Sequence, residues 1–181
     1  MPKRDAWRRG SVTMEFALLS TPFFYLLIGI VELCLMEGAQ QLLENAAFNA
    51  SRIGKTGYVA SGDINGLPAT QASTILQYVS NELSNYGSLF DTSVASGRFT
   101  IMGTDYTSFS NAAAGGGTAV QNNFGGATTS TTKSIVAYTV TYNWYLFTPF
   151  LCAALISSCQ TVGDNNVVQL TSTIIVQNEA Y

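Results

Sequence analysis

The side chains that could carry out chemistry are few and lie apart in this sequence. The chain contains no histidine, which removes Ser-His-Asp and Cys-His catalysis and every imidazole metal site. Carboxylates are scattered over separate predicted loops and helices, with no nucleophile–base pair at a recognisable spacing: Asp63, Glu82, Asp91, Asp105 and Asp164. We therefore predict a protein that is not an enzyme and uses no cofactor, metal or small-molecule substrate.

Cys152 and Cys159 are close enough in sequence to close a small loop. In an oxidising compartment a disulfide between them would stabilise the fold by about 2 to 3 kcal/mol, because it restricts the unfolded chain. We predict this bond, with two free thiols as the alternative. Cys34 lies in an apolar stretch and is interpreted as a small buried residue.

A long apolar stretch follows a basic N-terminus. Residues 16–31 carry no charge, and the apolar run continues past Glu32 to Met36, which at about 1.5 Å per residue is enough to cross a bilayer core. Four cations against one anion give residues 1–10 a charge of +3, so a total of −3 leaves −6 for the rest. The positive-inside rule then places the N-terminus in the cytoplasm and the acidic body outside it. Such a body also argues against nucleic acid as a partner.

Two residues in or beside this stretch are unusual for a simple membrane anchor. Pro22 cannot donate a hydrogen bond to the Leu18 carbonyl and should kink the helix, which membrane helices tolerate. Glu15 would cost several kcal/mol in or at the edge of a membrane unless it were paired. A secretory signal peptide is a poor alternative, because it has a shorter apolar core of about 7 to 15 residues followed by a small-x-small cleavage site.

The string from Arg8 to Phe16, RRGSVTMEF, resembles the processing site of type IV prepilins and pseudopilins. In that class an aspartyl membrane peptidase cuts after a glycine that ends a basic leader, and a glutamate is the fifth residue of the mature chain. The resemblance implies cleavage between Gly10 and Ser11, which makes Glu15 the fifth residue. The new Ser11 ammonium, in the same or a neighbouring chain, could then neutralise Glu15 and set the register of packed helices.

Residues 10–19, 29–33 and 40–47 resemble the TadE-like pseudopilins of tight-adherence (Tad) pili, and residues 148–151 and 170–179 are similar to the end of that family. The resemblance implies a minor pseudopilin required for pilus assembly. Its implied partners are other pilins, a prepilin peptidase and the bacterial inner membrane, which it crosses once with a periplasmic C-terminal domain, before any incorporation into an extracellular pilus. A TadF-type protein stays open, as does a membrane-anchored adhesin, sensor or enzyme outside any pilus.

The pattern of apolar residues predicts an α+β fold, in which a long membrane-spanning helix leads into a small extracytoplasmic domain of helix packed on an antiparallel sheet. We divide the chain into a leader (1–10), a helix (11–53, with a span of about 16–36) and a body (54–181). An apolar stripe runs along the later part of this helix, which Gly54 and Gly57 should end; its members are Ala39, Leu42, Leu43, Ala46, Ala47, Ala50 and Ile53.

Within the body, the residues between Pro68 and Gly87 have the spacing of a second helix. Its predicted apolar face consists of Ala72, Ile75, Leu76, Val79, Leu83 and Tyr86. Strict alternation over 135–146 and around 168–176 predicts two strands that pair with each other, and a shorter strand is expected at 99–102. The glycine-rich segment between Tyr106 and Thr132 is predicted to be a loop.

Overall fold

The computed structural model describes residues 4–56, 58–61, 69–87, 90–93, 96–120, 135–154, 159–162 and 165–177. A long helix is followed by a small domain with an antiparallel sheet, which confirms the predicted α+β class. In chain order the elements are α1 (Arg4–Lys55), α2 (Gln71–Ser84), β1 (Phe99–Tyr106), α3 (Phe109–Ala113), β2 (Thr118–Val120), β3 (Ile135–Tyr145), α4 (Pro149–Ala154), β4 (Cys159–Val162) and β5 (Asn165–Gln177).

The sheet has the strand order β2-β1-β3-β5-β4, and each of these neighbours is antiparallel. The predicted pairing of the two long strands is confirmed, with a register from Ile135 opposite Gln177 to Tyr145 opposite Val167. Alternate residues of β3 face the core because side chains alternate across a strand. The buried ones on this face are Val136, Tyr138, Val140, Tyr142 and Trp144.

The second half of α1 packs against the sheet and α2, and it contributes part of the hydrophobic core. The predicted stripe is confirmed at its alanines and at Leu43, all of them buried, whereas Leu42 and Ile53 are only half buried. The helix ends at Lys55, between Gly54 and Gly57, the two glycines that were predicted to end it. A Cβ placed at Gly54 would lie 3.0 Å from the Tyr138 ring. The glycine is therefore explained by close packing, and Gly57 lies outside the described residues.

The second helix, α2, confirms the predicted apolar face except at Tyr86, which follows the helix and is exposed. Thr70 caps its N-terminus in a reciprocal capping box with Ser73, which satisfies two backbone N–H groups that the first turn leaves open. The Gln71 amide donates to the Gly54 carbonyl over 2.8 Å and so joins the start of α2 to the end of α1. Pro68 lies outside the described residues.

The segment after Tyr106 is not entirely loop, which corrects the sequence prediction. Ser108 caps the short helix α3 by accepting a hydrogen bond from the Asn111 N–H, and β2 then pairs with the edge of β1. Both elements are short and depend on local capping or on a neighbouring strand, which a search for periodicity does not detect. Residues 121–134 lie outside the described part of the chain.

Candidate membrane and assembly surface

The first half of α1 presents a continuous apolar surface. From Val12 to Val31 the side chains are exposed, except that Ser20 is half-buried and Gly29 is buried. The Ser20 and Thr21 hydroxyls donate to the Ala17 carbonyl over 3.1 and 3.0 Å, so their hydrogen-bonding needs are met within the helix. Among the described residues, α1 is the one helix long and apolar enough to cross a membrane, and 11% of its most apolar window is buried.

The residues implied in processing and assembly all lie on this helix. Gly10 and Ser11 fall within α1, Glu15 is exposed on it, and Pro22 lies inside it without ending it. Cleavage after Gly10, the assembly role of Glu15 and a kink at Pro22 stay predictions. Cys34 is exposed on α1, not buried as expected, because the domain covers a different side of the helix at this level.

Glu32 links the apolar part of α1 to the domain by hydrogen bonds. Its carboxylate is 3% exposed and accepts three hydrogen bonds from the β3–α4 connection. The Thr148 N–H donates over 3.0 Å, and the Phe147 N–H and the Thr148 hydroxyl also donate to it. A buried carboxylate needs such donors, because without them its desolvation would not be compensated. This contact fixes the β3–α4 connection to α1.

Next to this contact, α1 and α4 approach each other closely. Gly29 lies one turn before Glu32, and a Cβ there would lie 3.1 Å from the Phe150 ring and 3.5 Å from Leu151. Leu151 is fully buried. The Phe150 ring also meets the Tyr25 ring edge-on, with the centroids 6.2 Å apart, a favourable geometry for aromatic pairs. The start of α4 therefore packs directly on the helix beside the glutamate.

Cys152 and Cys159 form a disulfide in the structure, with Cα atoms 5.4 Å apart. It joins α4 to β4, which pairs with the start of β5. The packed end of α4 is thus tied covalently to the sheet. Whether the bond forms in the cell stays a prediction.

The sequence alone does not predict the contact between Glu32 and Thr148. Residues 29–33 and 148–151 carry separate parts of the family resemblance, and Glu32 interrupts the apolar run. The signal that could have predicted this contact is a lone carboxylate within an apolar run, since it needs donors, together with the Thr-Pro at the start of a later helix, which offers them. The exposed apolar half of α1 can insert into lipid or pack against other apolar helices. Among the described residues, no group of three His, Cys, Asp or Glu side chains could hold a metal ion.

Comparison with known proteins gives one finding. Residues 10–52 match the family model of TadE-like proteins, which confirms the TadE-like resemblance over this part of the chain. The matched residues include Glu15, the exposed apolar surface, Glu32 and the part of α1 that packs in the core. No curated protein and no solved structure matches the chain.

Proposed function

Because residues 10–52 are TadE-like, we propose that the chain is a minor pseudopilin of a Tad-type pilus, anchored in the bacterial inner membrane by α1. The observation that carries this proposal is that the matched segment contains the whole exposed apolar half of α1. Such a surface is unfavourable in water and is suited to lipid or to the helices of other pilins. The +3 charge of the first ten residues supports a cytoplasmic N-terminus and a periplasmic domain.

Maturation is proposed to be hydrolysis of the peptide bond between Gly10 and Ser11 by a prepilin peptidase. Water adds across this bond, which releases a leader with a C-terminal carboxylate and leaves Ser11 with a free amine that becomes protonated. In α1 the residues Ser11 and Glu15 are four apart and therefore lie on the same side of the helix. The new ammonium can neutralise Glu15 within one chain or between two packed chains, which lowers the cost of placing this carboxylate in the membrane.

The cleavage is tested by the intact mass of the protein purified from cells with and without the peptidase. We expect the mass of residues 1–10 to be missing only when the peptidase is present, and Gly10→Leu to keep the leader in both strains. A protein that retains Met1 to Gly10 in peptidase-positive cells would contradict the proposal.

The assembly role is tested by counting pili on cells that express Glu15→Ala. We expect pili to be lost while the protein remains in the membrane, because the helix keeps its apolar surface but lacks the charge that sets the register. Glu37→Ala is the matched control, since Glu37 is also exposed on α1 but follows the apolar surface. Equal numbers of pili with both variants would argue against a role for Glu15.

A further inference from the structure

The connection between β3 and α4 exposes two large aromatic side chains at the level of Glu32. Phe147 is 79% exposed and Phe150 is 37% exposed. Residues 146–151 carry no charge, and the hydroxyl of Thr148 is already bonded to Glu32. The surface of this connection is therefore apolar, although it belongs to the domain and not to the exposed half of α1.

The length of the apolar helix indicates where this connection lies relative to a membrane. Between Glu15 and Glu32 there are sixteen uncharged residues, which span about 24 Å of helix, whereas the hydrocarbon core of a bilayer is about 30 Å thick. Because the charge-free stretch is shorter than this core, a helix that crosses the membrane has Glu15 and Glu32 just inside opposite edges of the core. Glu32, Phe147 and Phe150 are then at the edge that faces the domain.

We infer that the β3–α4 connection is a second membrane contact, in which Phe147 and Phe150 enter the boundary between the lipid headgroups and acyl chains. This inference rests on the proposed placement of α1 in the membrane. Phenylalanine is one of the residues that interfacial helices bury at this boundary, and the Phe150 ring continues the apolar surface of α1 through its contact with Tyr25. The bonds to Glu32 and the disulfide to β4 hold the connection at a fixed height on α1, so the domain itself would rest on the membrane.

Tryptophan quenching by brominated lipids can test the inference in the full chain. The protein carrying Trp7→Phe is reconstituted in phosphatidylcholine vesicles whose acyl chains are brominated either near the headgroup or near the chain end. Three further variants are compared: Phe147→Trp, Leu19→Trp within the apolar helix, and Phe109→Trp. Phe109 is a matched exposed aromatic (62%) beyond the other end of β3, since β1 ends opposite Ile135. The buried Trp144 contributes the same background to all three.

We expect Phe147→Trp to be quenched most by bromine near the headgroup, Leu19→Trp to be quenched by both brominated lipids, and Phe109→Trp by neither. If Leu19→Trp is quenched and Phe147→Trp behaves like Phe109→Trp, the second contact is wrong while the membrane placement of α1 stands. If Leu19→Trp is also unquenched, the proposed placement of α1 fails as well. Shielding of Phe147→Trp from aqueous iodide only in assembled pili would assign this surface to a neighbouring subunit and overturn the lipid contact.

Discussion

Glu32 shows how one carboxylate can be favourable inside an apolar stretch. Next to lipid it would be costly, but here it is buried against the domain, where two backbone N–H groups and one hydroxyl donate to it. The same bonds satisfy the N–H groups of Phe147 and Thr148, which lie just before α4 and have no place in its hydrogen-bond ladder. Glu32 thus lies at the boundary between the exposed and the packed halves of α1 and bonds the domain to the helix there.

Replacing Glu32 by glutamine should weaken the fold, because one of the two carboxylate oxygens becomes an NH₂ group that faces donors. We expect a loss of about 2 kcal/mol in the free energy of unfolding, the magnitude of leaving buried polar groups without partners. Thermal unfolding of the full chain in detergent micelles, followed by circular dichroism, measures the change. Glu37→Gln makes the same chemical change at an exposed position of α1 and should have little effect.

Thr148→Val removes the hydroxyl but keeps the backbone N–H, so a double-mutant cycle with Glu32→Gln isolates the side-chain part of the contact. We expect the two substitutions together to cost less than the sum of their separate effects. Strict additivity, or equal effects of Glu32→Gln and Glu37→Gln, would mean that the contact does not stabilise the domain on the helix.

At the scale of the element, the glycines of α1 distinguish its packed side from its open side. A Cβ at Gly38 would have nothing within 4 Å, whereas one at Gly54 would lie 3.0 Å from the buried Tyr138 ring. Gly38→Ala should therefore stabilise the helix by about 0.5 to 1 kcal/mol through the lower entropy of the unfolded chain. Gly54→Ala should destabilise by about 1 to 3 kcal/mol, because the ring must move within a close-packed core. Melting temperatures that shift in the same direction would contradict this packing.

The disulfide between α4 and β4 is tested by counting thiols. The chain has three cysteines, and Cys34 is free and exposed. Alkylation of the protein from the cell envelope under denaturing, non-reducing conditions should add one group by mass, and alkylation after reduction should add three. Three groups without reduction would mean that Cys152 and Cys159 are free thiols in the cell.

The long strands could be predicted from the sequence and the short ones could not, because only the long strands carry a local pattern of burial. β3 and β5 were predicted from alternation, which reflects one buried face and is local information. β4 and β2 have four and three residues and exist because longer strands leave edges to pair with, so their own residues carry little signal. The Glu32–Thr148 contact joins residues 116 apart in the chain, and no local pattern reports a pairing over that distance.

At the scale of the whole molecule, one half of α1 is exposed and apolar enough to cross a membrane, and the other half is a core helix. The exposed half ends near Val31, and the core begins with Ala39. Any force on the helix within a pilus or membrane would therefore be transmitted to the domain directly through packing, without a flexible linker. The division into a helix (11–53) and a body (54–181) stays a prediction, and the second half of this helix shares the core of the body.

This shared core predicts which parts of the chain fold alone. Residues 54–181 lack the buried side chains of Ala39, Leu43 and Ala46, so the sheet and α2 would expose the surface that α1 covers, and we expect no cooperative thermal transition. Residues 29–181 keep these side chains and Glu32, and we expect a cooperative transition by circular dichroism. Leu43→Ala in the longer fragment is a graded control, with an expected loss of about 2 to 5 kcal/mol. If residues 54–181 melted cooperatively at the temperature of the longer fragment, the domain would be independent of α1, and the helix would serve it only as a tether.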